Sequence, residues 1–491
     1  MLFDERTLSF LTWLMQNAVT TSPKIRISDF RSSGQGRCVV ATDEIMEDEE
    51  LFSIPRSAIL NVQSSSLAKE HAGAELVLAQ MTQWDALVLV LLYEWKVKAT
   101  SLPWWEYFNV LPLNDESYAS NQLIYWDDTE LSHLAPSYIV DRIGHNSANA
   151  MYDRLVPHFE KFVGTVTKDE FRKVASVIMS YSFDVGSKDV DDDEDNDEVS
   201  DDEVESNLVK DSDYLKSMVP LADTLNADTA KHNASLFITA DHLVMRSIKP
   251  IAKNDQIYNI YAEHPNSEIL RRYGYVEQQG LAHDFAEVSL ATFKKYFAEN
   301  SSLSKDTIDE ILAILEEIEI EEDEKFVLES YDCFGSGEVI FELTFLTQLF
   351  VIIAAINHKK SFNSASLEVK ARAIRRVYKK TYQLLESRRL TKQFMKDFPS
   401  ILKVRLSEYP RKATRGFSPS RDTPLTRQEM AMAVLTSECV SLQNCMDTEK
   451  VFTKGEQEFS VIDDEKLLRN IMQKNTFEGS ETQPSKKKRM S

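Results

Sequence analysis

Strand-forming pattern is confined to two short regions of this 491-residue chain, with long helical stretches between and after them. In the first region Lys24-Ile25-Arg26-Ile27 alternates polar and apolar, the glycine-containing turn Ser32-Ser33-Gly34-Gln35-Gly36-Arg37 follows, and Cys38-Val39-Val40-Ala41 and Leu51-Phe52-Ser53-Ile54 are further short runs before Pro55. In the second, Ser235–Thr239, His242–Met245 and Gln256–Tyr261 read the same way. Ahead of both, Leu8, Leu11 and Met15 have helical spacing across Phe3–Ala18. Between them, residues 64–180 read as mostly helical, and Trp84–Trp95 is apolar almost all round, as a core helix is. From Ser304 onward Ile308, Ile311, Leu312 and Leu315 share a face, Phe341–Ile356 is a buried helix, and Leu367, Ala371, Ile374, Tyr378 and Leu385 mark a basic amphipathic helix. The fold class is therefore α+β: a β unit interrupted by a helical insert, then an all-α C-terminal domain. The expected boundaries are a helix over 1–22, a mixed domain over 23–280 with its helical insert at 64–170 and an acidic loop at 187–212, a helical domain over 281–470, and a basic tail over 471–491.

Charge is unevenly spread. The net charge is −23, from 56 Lys and Arg against 79 Asp and Glu, which argues against a protein that coats nucleic acid with its whole surface. Yet twelve of the acidic residues fall between Asp189 and Glu205, whereas residues 359–421 hold 18 Lys and Arg against 4 Asp and Glu. The acidic run lacks the apolar residues needed to fold alone and reads as a disordered loop set into a domain. Lys486, Lys487, Lys488 and Arg489 form a cluster of nuclear-import type, equally a solvated tail. The N-terminus is acidic where a signal peptide needs basic residues, and the longest uncharged apolar runs, Ala86–Tyr93 and Leu349–Ile356, have eight residues each against the roughly 20 of a membrane helix. The expectation is a soluble intracellular protein. Cys38, Cys333, Cys439 and Cys445 make no CxxC pair, so reduced thiols are expected rather than a disulfide framework or a zinc site.

No P-loop, strand-borne GxGxxG, HExxH or GxSxG is present, which argues against a zinc hydrolase, a P-loop enzyme and a Rossmann-type dinucleotide oxidoreductase. Three separated stretches remain. Gly34-Gln35-Gly36-Arg37-Cys38-Val39-Val40-Ala41 carries a glycine pair that lets backbone approach a ligand, although alone it is a turn. Met218-Val-Pro-Leu-Ala-Asp-Thr-Leu-Asn-Ala-Asp places Asp223 and Asn226 in a polar step after an apolar run. The stretch from Tyr258 carries Tyr258, Tyr261, Tyr273 and Tyr275; core packing accounts for one or two such tyrosines, and four beside Asn and Gly suggest an aromatic-lined channel.

In order and spacing these stretches resemble the SET-domain lysine methyltransferases, in the branch typified by the plant Rubisco large-subunit methyltransferase and, within it, the fungal ribosomal-protein lysine methyltransferases. GQGRCVVA is similar to that family's G-x-G-[RL]-G-[LV]-V-A turn, Ser180-Tyr181-Ser182-Phe183 to its S-R-[AS]-F, MVPLADTLNAD to its [MV]-[VI]-P-x-A-D-x-[LI]-N-H, and NIYAEHPNSEILRRYGYVE to its tyrosine-bearing segment. Trp104-Trp105-Glu106-Tyr107-Phe108 before Leu111-Pro112 resembles a motif of the family's insert. The likeness spans about residues 22–280, and the helical region after it fits the family's substrate-binding domain. Two positions depart: Tyr181 stands where Arg is common and Ala227 where His is usual.

The resemblance implies S-adenosyl-L-methionine as cofactor and methyl transfer to a lysine amine. Such a displacement needs alignment, an amine without its proton and a dry channel rather than paired acids. It implies that Gly34, Gln35 and Gly36 line the cofactor through backbone, that Ser180, Tyr181, Asp223, Asn226 and Ala227 surround its amino-acid end, and that Tyr261 presents a hydroxyl to the methyl and amine. Tyr273, the second catalytic residue, and Tyr275 then wall the lysine channel and the adenine side. Asp228, Asn233 and Asn266 read as turn formers, and no metal site is expected. The expected substrate is a basic protein, a large-subunit ribosomal protein first, with residues 359–421 suited to ribosomal RNA or an acidic partner, no membrane association, and location in nucleus or cytoplasm. The alternatives are a weakly catalytic SET-like adaptor, which Tyr181 and Ala227 favour and Asp223, Asn226 and Tyr261 oppose, and a histone methyltransferase, disfavoured by the lack of a Cys-rich cluster after residue 277.

Overall fold

The computed structural model describes residues 3–98, 103–114, 120–186, 208–277, 281–322, 324–360, 362–417, 424–454, 458–463, 465 and 467–469. The acidic run 189–205 and the basic cluster 486–489 lie outside the described residues. The chain divides into two compact units. One comprises Met1–Ser132, Ile139–Glu277 and Pro419–Met430; the other comprises His133–Tyr138, Gln278–Ser418 and Ala431–Ser491.

Among the described residues the first unit is built on ten short strands: β1 (Thr20–Thr21), β2 (Ile25–Asp29), β3 (Arg37–Ala41), β4 (Glu50–Pro55), β5 (Ser182–Gly186), β6 (Tyr214–Met218), β7 (Asn226–Ala227), β8 (Ala234–Ile238), β9 (His242–Ser247) and β10 (Gln256–Asn259). They pair in the orders β1-β4-β9-β8 and β2-β3-β10-β7, with β5-β6 as a separate ladder. Strands from before residue 56 therefore pair with strands from after residue 233 (Phe52 faces Met245, and Val39 faces Ile257), so the two strand-rich regions are one β module interrupted by the insert. The last strand expected, Gln256–Tyr261, stops at Asn259, because its parallel partner β7 is only two residues long. Asn233 supports this end: its Nδ2 donates to Gln256 O at 3.0 Å and its Oδ1 accepts from Tyr258 N at 2.8 Å.

Around the module lie α1 (Phe3–Gln16) and the helices of the insert, α2 (Ser66–Glu70), α3 (Ala74–Ala79), α4 (Gln83–Leu92), α5 (Trp105–Phe108), α6 (Asp128–Leu131), α7 (His145–Phe162) and α8 (Lys168–Tyr181); α9 (Asn266–Tyr273) follows the last strand. All ten residues of α4 are buried, as its unbroken apolar run requires, and Thr82 caps it by accepting from Asp85 N at 3.1 Å. Helix α8 opens on a reciprocal capping box between Thr167 and Glu170, which fixes its start and hence where its other end, Ser180–Tyr181, arrives.

The second unit is mainly helical, as expected, with helices at Leu290–Asn300, Lys305–Glu322, Phe341–Lys360, Leu367–Glu386 and Phe394–Leu406 and most of Arg427–Met446. It also carries two two-stranded ladders, Phe285–Ser289 with Ser330–Phe334 and Arg389–Thr391 with Ser460–Ile462. Neither ladder was expected: Ser330–Phe334 alternates, with Tyr331 and Cys333 buried, while the three-residue runs are strands only through pairing with a distant chain segment. Phe341–Lys359 is long and apolar enough to cross a membrane, but Leu346, Leu349, Phe350 and Ile356 are wholly buried in this unit's own core. All four cysteines are free and buried.

Candidate active site

The glycine turn comes first. Arg31–Ser33 forms one 3-10 turn closed by Gly34, and Gly34 and Gly36 take φ of +80° and +70°. These left-handed angles are costly for residues with a Cβ. Phe30 N donates to Gly36 O at 2.7 Å and Gln35 N to Phe30 O at 3.1 Å, so the turn is held from inside. A Cβ on Gly36 would meet nothing within 4 Å; the turn faces open space, where a ligand can approach the backbone.

The second wall is the step after β6. Leu221, buried, adopts φ +79° and ψ −43°, a strained conformation for a branched residue, and Thr224 N bonds back to Leu221 O at 3.1 Å. The kink turns the chain so that Asp223 points inward and Asn226–Ala227 can pair in parallel with Tyr258–Asn259. Asp223 is buried, and Tyr107 of helix α5, itself fully buried, donates its hydroxyl to Asp223 Oδ2 at 2.5 Å. Burial pushes the Asp223 carboxyl up to about 7, while the Tyr107 hydroxyl draws it down by bonding the ionised form. Asn226 Nδ2 is buried with no hydrogen-bond partner.

The third wall is aromatic. Tyr261 and Tyr273 have ring centres 4.8 Å apart, and Tyr275 stands edge-on to Tyr261 at 6.3 Å and 83°. Tyr261 donates its hydroxyl to Leu225 O at 2.9 Å, which ties the tyrosine cluster to the Asp223–Asn226 step. Gly274, between the other two tyrosines, ends α9 with φ +74°, and a Cβ there would lie 2.8 Å from Gln122 N. Only glycine fits. Gln122 Nε2 in turn donates to Arg272 O at 2.6 Å and to Ser180 Oγ at 2.9 Å, and Ser180 Oγ donates to Arg272 O at 2.8 Å. Burial, reinforced by the neighbouring phenols and Glu277, pushes the Tyr275 hydroxyl far above its ordinary value, so it stays protonated.

One cavity of about 350 Å³ joins these walls. Gly34, Gln35 and Gly36 border it on one side; Ser180, Tyr181, Asp223, Asn226 and Ala227 on another; Tyr261, Tyr273 and Tyr275 on the third. Tyr258 does not reach it, and Lys231 sits over its ring at 5.4 Å. Asp228 accepts from Ala230 N and Lys231 N, and Asn266 brackets Glu277 through both backbone groups, so these serve the turns. Sequence reading missed Asn109, Arg37 and Thr224 on the cavity wall, and Tyr107 and Gln122 behind it. Tyr107 stood in the Trp104–Pro112 motif; nothing in the sequence marked Asn109 or Gln122. Among the described residues no cluster of His, Cys, Asp and Glu could hold a metal ion.

The SET domain pattern matches residues 36–262. Ribosomal lysine N-methyltransferase 4 of Saccharomyces cerevisiae is 38% identical to the chain over 97% of both proteins. The chain belongs to the SET-domain protein-lysine N-methyltransferases. N-lysine methyltransferase SETD6 of Rattus norvegicus is 28% identical over 56% of this chain and 55% of its own length. A crystal structure of the SET domain of LSMT bound to MeLysine and AdoHcy superposes with a TM-score of 0.58, covering 95% of this chain and 96% of that one; at 16% identity the likeness concerns the fold. As a SET methyltransferase the protein uses S-adenosyl-L-methionine. The cavity fits that group: it offers a backbone cradle at Gly36 and buried, unpartnered amide donors at Asn226 and Asn109.

Proposed function

We propose that this SET methyltransferase transfers a methyl group to the ε-amine of a lysine on a basic protein, a large-subunit ribosomal protein in the first instance. The observation that carries the reading is the convergence of the glycine turn, Asp223–Asn226 and the three tyrosines on one cavity. The ribosomal substrate rests on the 38% identical yeast relative and its name, and a basic substrate on the twelve acidic residues between Asp189 and Glu205. The same reading puts the protein in the nucleus or cytoplasm.

S-adenosyl-L-methionine supplies an electrophilic methyl group on a sulfonium. Gly34, Gln35, Gly36, Ser180, Tyr181, Asn226 and Ala227 are the residues that would hold it, with Asp223 near its cationic amino-acid end. A free lysine amine has a pKa near ~10.4 and must shed its proton; desolvation among Tyr261, Tyr273 and Tyr275 favours the neutral amine, and the proton leaves to water. The Tyr261 hydroxyl hydrogen is committed to Leu225 O, which leaves its oxygen lone pairs to accept from the amine or from the polarised methyl.

Residues 359–421 supply a second contact surface in this reading. Arg388, Arg389, Lys396 and Lys403 are exposed, and the ribosomal substrate makes ribosomal RNA the polyanion they meet. Methyl labelling of a lysate that lacks this protein, followed by mass spectrometry of the accepting band, tests the activity. A labelled lysine on a ribosomal protein is expected; no labelled band with active enzyme overturns the reading. Calorimetric binding of S-adenosylhomocysteine separates an enzyme from an adaptor that has lost the cofactor.

A further inference from the structure

Asn109 has no assigned role, yet its surroundings fix both what its side chain offers and where. It ends helix α5, donating its backbone N–H to Trp105 O at 3.1 Å, and it is 6% exposed. Its side chain is the last member of a relay. Trp95 Nε1 donates to Asn114 Oδ1 at 2.9 Å, and Asn114 Nδ2 donates to Asn109 Oδ1 at 3.0 Å. An indole N–H can only donate. The oxygen of Asn114 must therefore face Trp95, its nitrogen must face Asn109, and the oxygen of Asn109 must face back along the relay. That leaves Asn109 Nδ2 buried and without a partner, in a residue that borders the cofactor cavity. A buried donor left unpaired is costly, and a ligand that reaches it offsets that cost.

The same part of the wall carries arginines, of which Arg31 is paired with Asp29 at 2.7 Å. Arg37 donates to Val110 O at 3.2 Å, one residue from Asn109, and its guanidinium lies 4.0 Å from the ring of Phe3, which Arg31 also covers at 4.0 Å. Arg6, Arg31 and Arg37 all border the cavity. An amide donor beside arginines suits a carboxylate.

We propose that Asn109 donates through Nδ2 to the carboxylate of bound S-adenosyl-L-methionine, with Asn114 and Trp95 as positioning residues that hold its amide the right way round. The proposal rests on the cofactor reading above and supplies the polar contact that Tyr181, lacking a positive charge, does not. The test is calorimetric binding to the full chain of S-adenosylhomocysteine and of methylthioadenosine, which lacks the amino-acid end. Asn109→Leu should weaken S-adenosylhomocysteine about tenfold or more and leave methylthioadenosine unchanged. Asn109→Asp, which keeps the shape and the bond from Asn114, should weaken S-adenosylhomocysteine further, since like charges then meet. Trp95→Phe should cost a smaller factor, about 2- to 3-fold, by freeing the amides to turn, and should raise KM for the cofactor without lowering kcat. Unchanged S-adenosylhomocysteine affinity in both Asn109 variants, or equal losses for the two ligands, overturns the proposal. A wild-type protein that binds neither ligand overturns the cofactor reading instead.

Discussion

Tyr107→Phe removes one oxygen atom from a fully buried ring and should change how the whole site responds to pH. The hydroxyl lost is 2.5 Å from Asp223 Oδ2, in a carboxyl that burial has already raised to about 7. A hydrogen bond to a charged group contributes about 1.5–3 kcal/mol, and one pKa unit corresponds to about 1.4 kcal/mol, so the Asp223 carboxyl should rise by about 1–2 units. At pH 7 the ionised fraction then falls from about one half to between about 10% and about 1%, and affinity for a ligand whose ammonium needs the carboxylate falls about 5- to 50-fold. Calorimetric titration of S-adenosylhomocysteine between pH 6 and 8.5 reads this directly. Wild-type affinity should climb through about pH 7 and level off, whereas Tyr107→Phe should still be climbing at pH 8.5. Folding stability carries the same signature. Because the folded pKa of Asp223 is raised, the folded protein keeps a proton that the unfolded chain releases between about pH 4 and about pH 7, and stability from this group falls as pH rises through that window. The variant extends the window upward, so its deficit against wild type should be larger at pH 8.5 than at pH 5. A pH-independent wild-type affinity, or a variant profile with an unmoved midpoint, refutes the reasoning.

Tyr261→Phe removes the hydroxyl that bonds Leu225 O; a radiolabelled transfer assay should show kcat down at least about tenfold, while stability drops by only about 1 kcal/mol. Unchanged turnover would remove Tyr261 from the reaction. Gly274→Ala forces a Cβ to within 2.8 Å of Gln122 N at φ +74° and should cost about 2–3 kcal/mol in urea unfolding, with weaker cofactor binding as Tyr273 and Tyr275 shift. A loss below about 0.5 kcal/mol would mean that the approach of Gly274 to Gln122 is easily relieved. Deleting residues 189–205 should raise KM for a basic protein substrate at low salt and do so much less at 0.5 M salt, where charge attraction is screened; a salt-independent change would point away from electrostatic capture.

Much of this protein was written locally. Short strand-forming runs marked the strands around Gly34–Gly36 and Ser235–Asn259, the unbroken apolar run marked α4, and turn chemistry marked Asp228, whereas Asn233, expected to bond within a turn, bonds strand β10 across 23 and 25 positions. In the second unit Ser330–Phe334 alternates with Tyr331 and Cys333 buried, yet the expectation of an all-helical domain passed over it, whereas the three-residue runs Arg389–Thr391 and Ser460–Ile462 become strands only through a distant partner. The candidate site divides in the same way. Gly34, Asp223, Asn226 and Tyr261 stood out in the sequence, and it was the resemblance to the SET-domain family that implied one cofactor among them. Tertiary structure alone brought Tyr107 onto Asp223 across 116 positions and Gln122 onto Arg272 across 150, and so set the titration of Asp223 and the stance of Tyr273 and Tyr275. It alone turned Asn109 into a free donor, through a relay whose direction depends on an indole that can only donate. The reason is physical: propensity and pattern act between near neighbours, whereas desolvation and hydrogen-bond pairing depend on which groups the fold buries together.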